Sequence, residues 1–437
     1  MSHFTYPDEL PITTLILPPS ATVTVPGSKS ITNRALVLAA LTDRDIACRL
    51  TGALRSEDTE VMVAALQQLG IEVQADWSAA MPSVLFPVQG QRGILPQSAD
   101  LFVANSGTTM RFLTAVVATG RGRYRLDGIA RMRERPIQDL LDALNQLEGV
   151  KAFSERDNGC PPVVIETQGI RGGHVSIRAG ISSQFLSALL LAAPVAEEPV
   201  TIEVDGVLVS EPYIVMTLRM MERWGHAVEQ LGANTYRVST YEGHPGPQVY
   251  AIEPDASAAS YFWAAAAICG GRVTVTGLNR KSLQGDVRFV DVLEQMGCRV
   301  EECEAGITVH GGPLRGIDVD MNDISDTVMT LGAVACFAAG PTTIRNVAHI
   351  RHKETDRIAA LAAELRKLGA EVEERADGLT IIPRSLTGCA VDTYNDHRMA
   401  MSLALVGLRV PGVVIRNPGC VAKTYPGFWQ DWEKLRG

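Results

Sequence analysis

Residues 28–41, SKSITNRALVLAAL, decide how the rest of the chain is read. Ser28, Lys29 and Ser30 open the stretch and Arg34 lies one turn in; the remainder is apolar. A serine before an apolar run is a helix-start signal, because its side chain accepts from the exposed first-turn amides. The same polar end, with its unpaired N–H groups and basic side chains, also suits an anion. A plain capped core helix and an anion grip are both compatible with this stretch alone.

The pattern recurs at roughly 70–78 residue intervals, as SGTTMRFLTAVVA from 106, SSQFLSALLLAAP from 182, ASAASYFWAAAAIC from 256, SDTVMTLGAVACFAAG from 325 and DHRMAMSLALVGL from 396. A second signal keeps the same interval: LQQLGIEV, MERWGHAV, LEQMGCRV and LRKLGAEV, with LNQLEGV a weaker copy. Glycine after a last helical turn closes a helix, and the β-branched residues beyond it begin a strand. A third is a short strand running into a charged turn, as in YRLDGIARMRERPI and TTIRNVAHIRHKETDRI. The chain therefore reads as six βαβαββ-type units of about 75 residues, three to each of two domains. One such unit cannot bury two helices and a sheet alone, so the copies associate. If the apolar helices are central, their polar starts converge, each carrying about half a positive charge. The clusters also differ in chemistry from copy to copy, which favours a site over a scaffold.

At 437 residues the chain exceeds one comfortable core, which agrees with two domains. Its 46% hydrophobic and 5% aromatic content fits an α/β protein with an aliphatic core. No apolar run is long enough for a membrane span. The opening MSHFTYPDELPITTL has acid and proline where a secretory signal has basic and apolar residues, so a cytoplasmic location is expected. The net charge of −9 argues against nucleic-acid binding. The eight cysteines form no CxxC pair and have no histidine at metal-ligand spacing, and read as reduced, mostly buried small hydrophobes.

GSKS is not a phosphate loop of the GxxxxGK[ST] kind: Ser28 separates Gly27 from Lys29, and Thr22 stands where a glycine is required. The cations that matter are Lys29, Arg34, Arg111, Arg133, Arg135, Arg351, Lys353, Arg357, Arg398 and Lys423, all near expected helix starts. The helix dipole disfavours cations there, so their accumulation makes sense if an anion offsets both. Two carboxylates are acid–base candidates. Asp326 would otherwise be an N-cap, and Glu354 a local ion pair with Lys353 and Arg357. Ser182, Ser183 and Gln184 are neutral donors, and Asn395, Asp396, His397 and Arg398 form a dense polar run.

The motifs PGSKSITNRAL, NSGTTMRF, RMRERPI, SSQFLSALL, LVSEPYI, DASAASYF, HKETDRI, YNDHRMAM and AKTYPGF, in this order along nearly the whole chain, resemble those of the enolpyruvyl transferase family, in its shikimate-type form. The resemblance implies a two-domain inside-out α/β barrel with the ligand cleft between domains. It places residues 1–27 and 254–437 in one domain and 28–253 in the other, with the first strand joining the C-terminal half. It implies transfer of the enolpyruvyl group of phosphoenolpyruvate to the 5-hydroxyl of shikimate 3-phosphate, by a monomer without metal or redox cofactor. Lys29, Ser30, Arg34, Ser182, Ser183, Gln184, Ser210, Tyr213, Asp326, His349 and Lys353 would hold shikimate 3-phosphate. Lys29, Asn105, Gly107, Thr108, Arg135, Gln184, Arg357, His397, Arg398 and Lys423 would hold phosphoenolpyruvate. Asp326, Glu354 and Lys29 would move the protons.

Some positions depart from the common family pattern: Phe112 where many members have Pro, Ser106 and Thr109 for alanines, His349 for Asn and His352 for Val. Two alternatives stand beside this reading: the sister transferase that acts on UDP-N-acetylglucosamine, and a repeat protein that binds metabolites without catalysis. The SSQFL, HKETDR and YNDHRMAM runs, and the lack of cysteine in the NSGTTMRF and RMRERP loops, argue against the former.

Overall fold

The computed structural model describes residues 5–42, 45–79, 81–88, 94, 96–244 and 246–436. They divide into two compact units: one spans Gly27–Ile252, and the other is split, Met1–Pro26 with Glu253–Gly437. Each unit holds three repeats with two α-helices apiece. In the continuous unit these are α1 Lys29–Leu41, α2 Glu57–Gln68, α3 Gly107–Val117, α4 Gln138–Leu144, α5 Ser183–Ala192 and α6 Pro212–Arg223. In the split unit they are α7 Ala256–Cys269, α8 Phe289–Gln295, α9 Val328–Ala335, α10 Arg357–Lys367, α11 His397–Gly407 and α12 Phe428–Glu433.

The first helix of each repeat has almost no solvent-facing side. Every residue of α3, α9 and α11 is buried, as are all but one of α5 and α7. A helix apolar all round can only be stable inside. So α1, α3 and α5 pack together in one unit, and α7, α9 and α11 in the other. The second helix of each repeat keeps a polar face; α6 buries Ile214, Met216, Thr217, Met220 and Met221 and turns Arg219, Glu222 and Arg223 outward.

The strands form one sheet per repeat. In the second repeat Ser98–Phe102 runs parallel to Gly122–Asp127, which pairs antiparallel with Val163–Thr167, itself antiparallel to Val150–Ser154. The third and fifth sheets repeat this order. The other three borrow a strand from far along the chain. Cys48–Thr51 takes its parallel neighbour from Val249–Ala251, and Arg272–Thr276 from Ser20–Val23. In the sixth, three-stranded sheet Glu9–Pro11 pairs antiparallel with Val414–Arg416. Both N-terminal strands thus belong with the C-terminal half.

The helix-closing glycines behave as the sequence predicts. Gly70, Gly225, Gly297 and Gly369 have φ of 80°, 76°, 113° and 101°, and the N–H after each donates five residues back, at 3.0 Å in all four copies. This is the bond pattern of a left-handed helix terminus, which turns the chain into the next strand. No helix among the described residues is long and apolar enough to cross a membrane.

Candidate active site

The candidate residues of the continuous unit gather at the starts of its three buried helices and around α6. Ser28 caps α1, its Oγ accepting from the Ile31 N–H at 3.4 Å. Lys29 follows and pairs with buried Asp58 in the first turn of α2, Nζ to Oδ2 3.3 Å. Asp58 was not among the sequence candidates; its one visible signal was the acidic first turn of α2.

Arg34 points inward rather than to solvent and is 2% exposed. Its Nε donates to Thr217 Oγ1 at 2.7 Å, Nη1 to the Ser30 carbonyl at 3.0 Å, and Nη2 to Ser187 Oγ and the Tyr213 carbonyl, both at 3.2 Å. The guanidinium also lies 5.2 Å from the Phe112 ring centre and 5.9 Å from that of Tyr213. Burial pulls its pKa down to about 10, so it stays charged at neutral pH. The bonds named use four of the five N–H donors of a guanidinium, leaving one on Nη1. Phe112 lies inside the uninterrupted α3, with its ring beneath the Arg34 guanidinium. Ser106 and Thr109 form the cap of that helix, with the Thr109 N–H 3.3 Å from Ser106 Oγ.

Arg135 reaches over the start of α3, its Nη1 donating to the Asn105 carbonyl at 3.1 Å. A Cβ on Gly107 would come within 2.5 Å of Arg135 Nη2, so this glycine makes room for the guanidinium. Gln184 Nε2 donates to Thr108 Oγ1 at 3.3 Å, linking the α5 and α3 starts, while Ser182 caps α5 and Ser183 is buried in its first turn. Ser210 has φ of 53° and its carbonyl takes the Tyr213 N–H at 3.1 Å, which turns the chain into α6.

The split unit carries the denser cluster. Asp326 is not an N-cap: α9 is capped at Thr327 without a side-chain bond, and Asp326 sits in the short Asn322–Thr327 turn, kinked at Ile324. Its carboxylate is held between two guanidiniums, Oδ1 by Arg357 Nη1 at 3.1 Å and Oδ2 by Arg398 Nη2 at 2.6 Å. Glu354 Oε2 takes a bond from Arg357 Nη2 at 2.8 Å, and its Oε1 lies 4.0 Å from Lys423 Nζ. Arg357 Nε donates to Asp396 Oδ2 at 2.8 Å. Burial works against the charge on Arg357, but Asp396, Glu354 and Asp326 outweigh it and raise its pKa well above the ordinary arginine value. His397 lies buried in the first turn of α11, its Nδ1 3.6 Å from Asp396 Oδ1.

His349 Nε2 and Ser325 Oγ are 2.9 Å apart. Burial, with Lys353 close by, pushes the imidazole pKa down to about 3, so it is neutral at physiological pH. Arg133 and Arg351 do not join the clusters: Asp127 holds Arg133, and Asp356 and Glu374 hold Arg351. Arg111 is buried, and its Nη2 donates to the Pro136 carbonyl at 2.9 Å.

Near Asp326 lies buried Asp286, which accepts from Ser257 Oγ. Burial, then the Asp326 carboxylate, pushes its carboxyl up to about 6 from 3.8. A carboxyl that binds its proton more tightly when folded loses stability for the fold as pH rises between those values. Asp286→Asn is therefore expected to gain in Tm, relative to the parent, on going from pH 5 to pH 8. Scanning calorimetry at both values measures this; a difference independent of pH contradicts it.

Paired cations and carboxylates stand at the ends of buried helices in each unit of this inside-out repeat fold, an arrangement of the kind found in enzymes of anionic substrates. The chain belongs to the EPSP synthase (3-phosphoshikimate 1-carboxyvinyltransferase) family, whose model matches residues 16–432. It is 49% identical to the 3-phosphoshikimate 1-carboxyvinyltransferase of Trichormus variabilis over 98% of this chain and 100% of that one. It is 48% identical to that of Nitrosomonas europaea, over 94% and 95%. A solved EPSP synthase from Acinetobacter baumannii superposes with a TM-score of 0.80 at 25% identity, over 98% of each chain.

Proposed function

We propose that this chain transfers the carboxyvinyl group of phosphoenolpyruvate to the 5-hydroxyl of shikimate 3-phosphate. The observation that carries the assignment is Asp326, a carboxylate fixed by Arg357 and Arg398 beside a second carboxylate, Glu354, on the same guanidinium. Two charge-assisted hydrogen bonds fix the position and direction of such a base.

In the addition step Asp326 takes the proton of the 5-hydroxyl as its oxygen bonds to C2 of phosphoenolpyruvate. The C2–C3 double bond takes a proton at C3, giving a tetrahedral intermediate. In the elimination the C2–O bond to phosphate breaks, a C3 proton is removed, and the double bond re-forms. Lys29 and Glu354 handle the C3 proton. Phosphate and carboxylate charge is met by Lys29, Arg135, Arg357, Arg398 and Lys423, with Asn105, Gly107, Thr108, Gln184 and His397 around them. Fixed charges of this kind stabilise developing charge without reorganising in the transition state. Shikimate 3-phosphate is assigned to Lys29, Ser30, Arg34, Ser182, Ser183, Gln184, Ser210, Tyr213, Asp326, His349 and Lys353. Arg34 contributes through its buried charge and its remaining N–H.

The chain acts as a monomer in the cytoplasm, a compartment that suits its free thiols. Sedimentation equilibrium giving twice the chain mass would overturn the first part. The deciding experiment for the reaction is phosphate release from phosphoenolpyruvate with shikimate 3-phosphate or with UDP-N-acetylglucosamine as acceptor. Release with the former supports the assignment; release only with the nucleotide sugar rejects it.

Gly107→Ala probes the phosphoenolpyruvate assignment. The added methyl cannot coexist with Arg135 where it stands, so that guanidinium must shift. The expected result is a KM for phosphoenolpyruvate raised about tenfold, the cost of one misplaced charged hydrogen bond. The KM for shikimate 3-phosphate should change less. Initial-rate kinetics with each substrate varied in turn measure both.

A further inference from the structure

The segment that delivers His397 and Arg398 to the cluster contains a backbone outlier. Tyr394 and Asn395 both have φ of 53°, and the Asp396 N–H donates to the Thr393 carbonyl at 2.8 Å. This is a tight turn with positive φ at both central positions, which ordinarily calls for Gly, Asn or Asp. Asn395 fits that requirement and Tyr394 does not. A bulky side chain in the left-handed region is strained, and such strain persists only where the surroundings impose it.

The surroundings here centre on Glu364, whose side chain is fully buried in the third turn of α10. Its Oε1 accepts from Tyr394 Oη at 2.7 Å and from Lys367 Nζ at 2.8 Å, and its Oε2 from the Asp392 N–H at 3.0 Å. Burial and the Glu364 acceptor push the Tyr394 hydroxyl up to about 12, so it remains a donor. Seven residues earlier on the same helix, Arg357 holds Asp396. The one helix thus grips both ends of the turn, at points about 10 Å apart along its axis. Beyond the turn, Asp396 Oδ1 accepts the Arg398 N–H at 2.8 Å and sets the first turn of α11.

We propose that Glu364 and Tyr394 form a latch that forces the 393–396 turn into its strained shape, aims Arg398 and so sets the affinity for phosphoenolpyruvate. Both are positioning residues, and the inference rests on the assignment of Arg398 to phosphoenolpyruvate made above. A latch differs from ordinary packing in one respect: it is needed only because residue 394 resists the backbone it must adopt. A glycine there adopts φ of 53° freely and would make the latch redundant.

The test compares Tyr394→Phe, Tyr394→Gly, Glu364→Ala, the double variant Tyr394→Gly with Glu364→Ala, and Arg398→Lys. For each, kcat, both KM values and a melting curve are measured. Tyr394→Phe is expected to raise the KM for phosphoenolpyruvate about fivefold to tenfold. Its kcat and its KM for shikimate 3-phosphate should stay within about twofold of the parent. Glu364→Ala should show the same selective rise, and should lose most of that effect in the Tyr394→Gly background. An unchanged KM in Tyr394→Phe, or an equal effect of Glu364→Ala in both backgrounds, overturns the latch. If Arg398→Lys leaves the KM for phosphoenolpyruvate unchanged, the assignment of Arg398 fails and takes the latch with it. If Arg398→Lys raises that KM and Tyr394→Phe does not, the latch alone is wrong.

Discussion

Asp326→Asn is expected to lower kcat by about 10²–10⁴-fold, the usual contribution of a positioned general base. The substitution keeps the volume of the side chain, so packing around the Asn322–Thr327 turn is conserved. It removes the one group assigned to accept the 5-hydroxyl proton. It also turns an amide N–H₂ toward Arg357 or Arg398, each of which now donates to a carboxylate oxygen. The two guanidiniums lose one negative neighbour, so phosphoenolpyruvate is held at least as tightly as before. The expected pattern is a large fall in kcat with an unchanged or lower KM for phosphoenolpyruvate. Steady-state kinetics check it, with circular dichroism confirming that the variant is folded. A kcat within about fivefold of the parent would remove Asp326 from the chemistry.

The largest expected effect on stability is that of Arg357→Ala. The guanidinium is 1% exposed and meets Asp326, Glu354 and Asp396, and the last of these is fully buried. Removing it leaves carboxylates buried without their shared counter-charge, at a cost of about 3–5 kcal/mol. At about 2–4 °C per kcal/mol for a unit of this size, Tm falls by roughly 6–20 °C. The deficit depends on pH in a definite direction. Without Arg357 the orphaned carboxylates bind protons more tightly, and protonation removes the buried charge that makes the variant unstable. The gap between variant and parent therefore narrows as pH falls from 7.5 to 4.5. A gap that stays constant, measured by calorimetry at both values, would mean that Arg357 stabilises through packing alone.

These effects share an origin in the placement of charges at the ends of helices that are themselves entirely buried. A guanidinium that serves three carboxylates is costly to assemble and leaves little freedom for any of them. That rigidity suits a reaction in which one proton leaves an oxygen and another enters and leaves a carbon. The Glu364–Tyr394 latch extends the same logic outward, since Arg398 can oppose Asp326 only if the turn before it is held in a shape that tyrosine resists.

Much of this was legible in the amino-acid sequence, because it depends on neighbours a few residues apart. The serine caps, the glycines that end α2, α6, α8 and α10, the period of the repeat and the burial of α3 or α11 all follow from short-range geometry and from the absence of any polar helical face. The gathering of Lys29, Arg357 and Arg398 near helix starts was legible for the same reason. What those side chains touch was not. Arg34 turns inward because Thr217 and Ser187, more than 150 residues away, offer it acceptors. The Asp326 carboxylate is taken up by Arg357 and by Arg398, 72 residues on, rather than by a helix end. Arg133 and Arg351 are neutralised by acids that no helical spacing singles out, and the strands that complete the first and fourth sheets come from distant parts of the chain. Caps and helix ends are settled within one turn of backbone, whereas the partner of a charge is settled by which segments the packed helices bring within about 3 Å, and that only the tertiary structure decides.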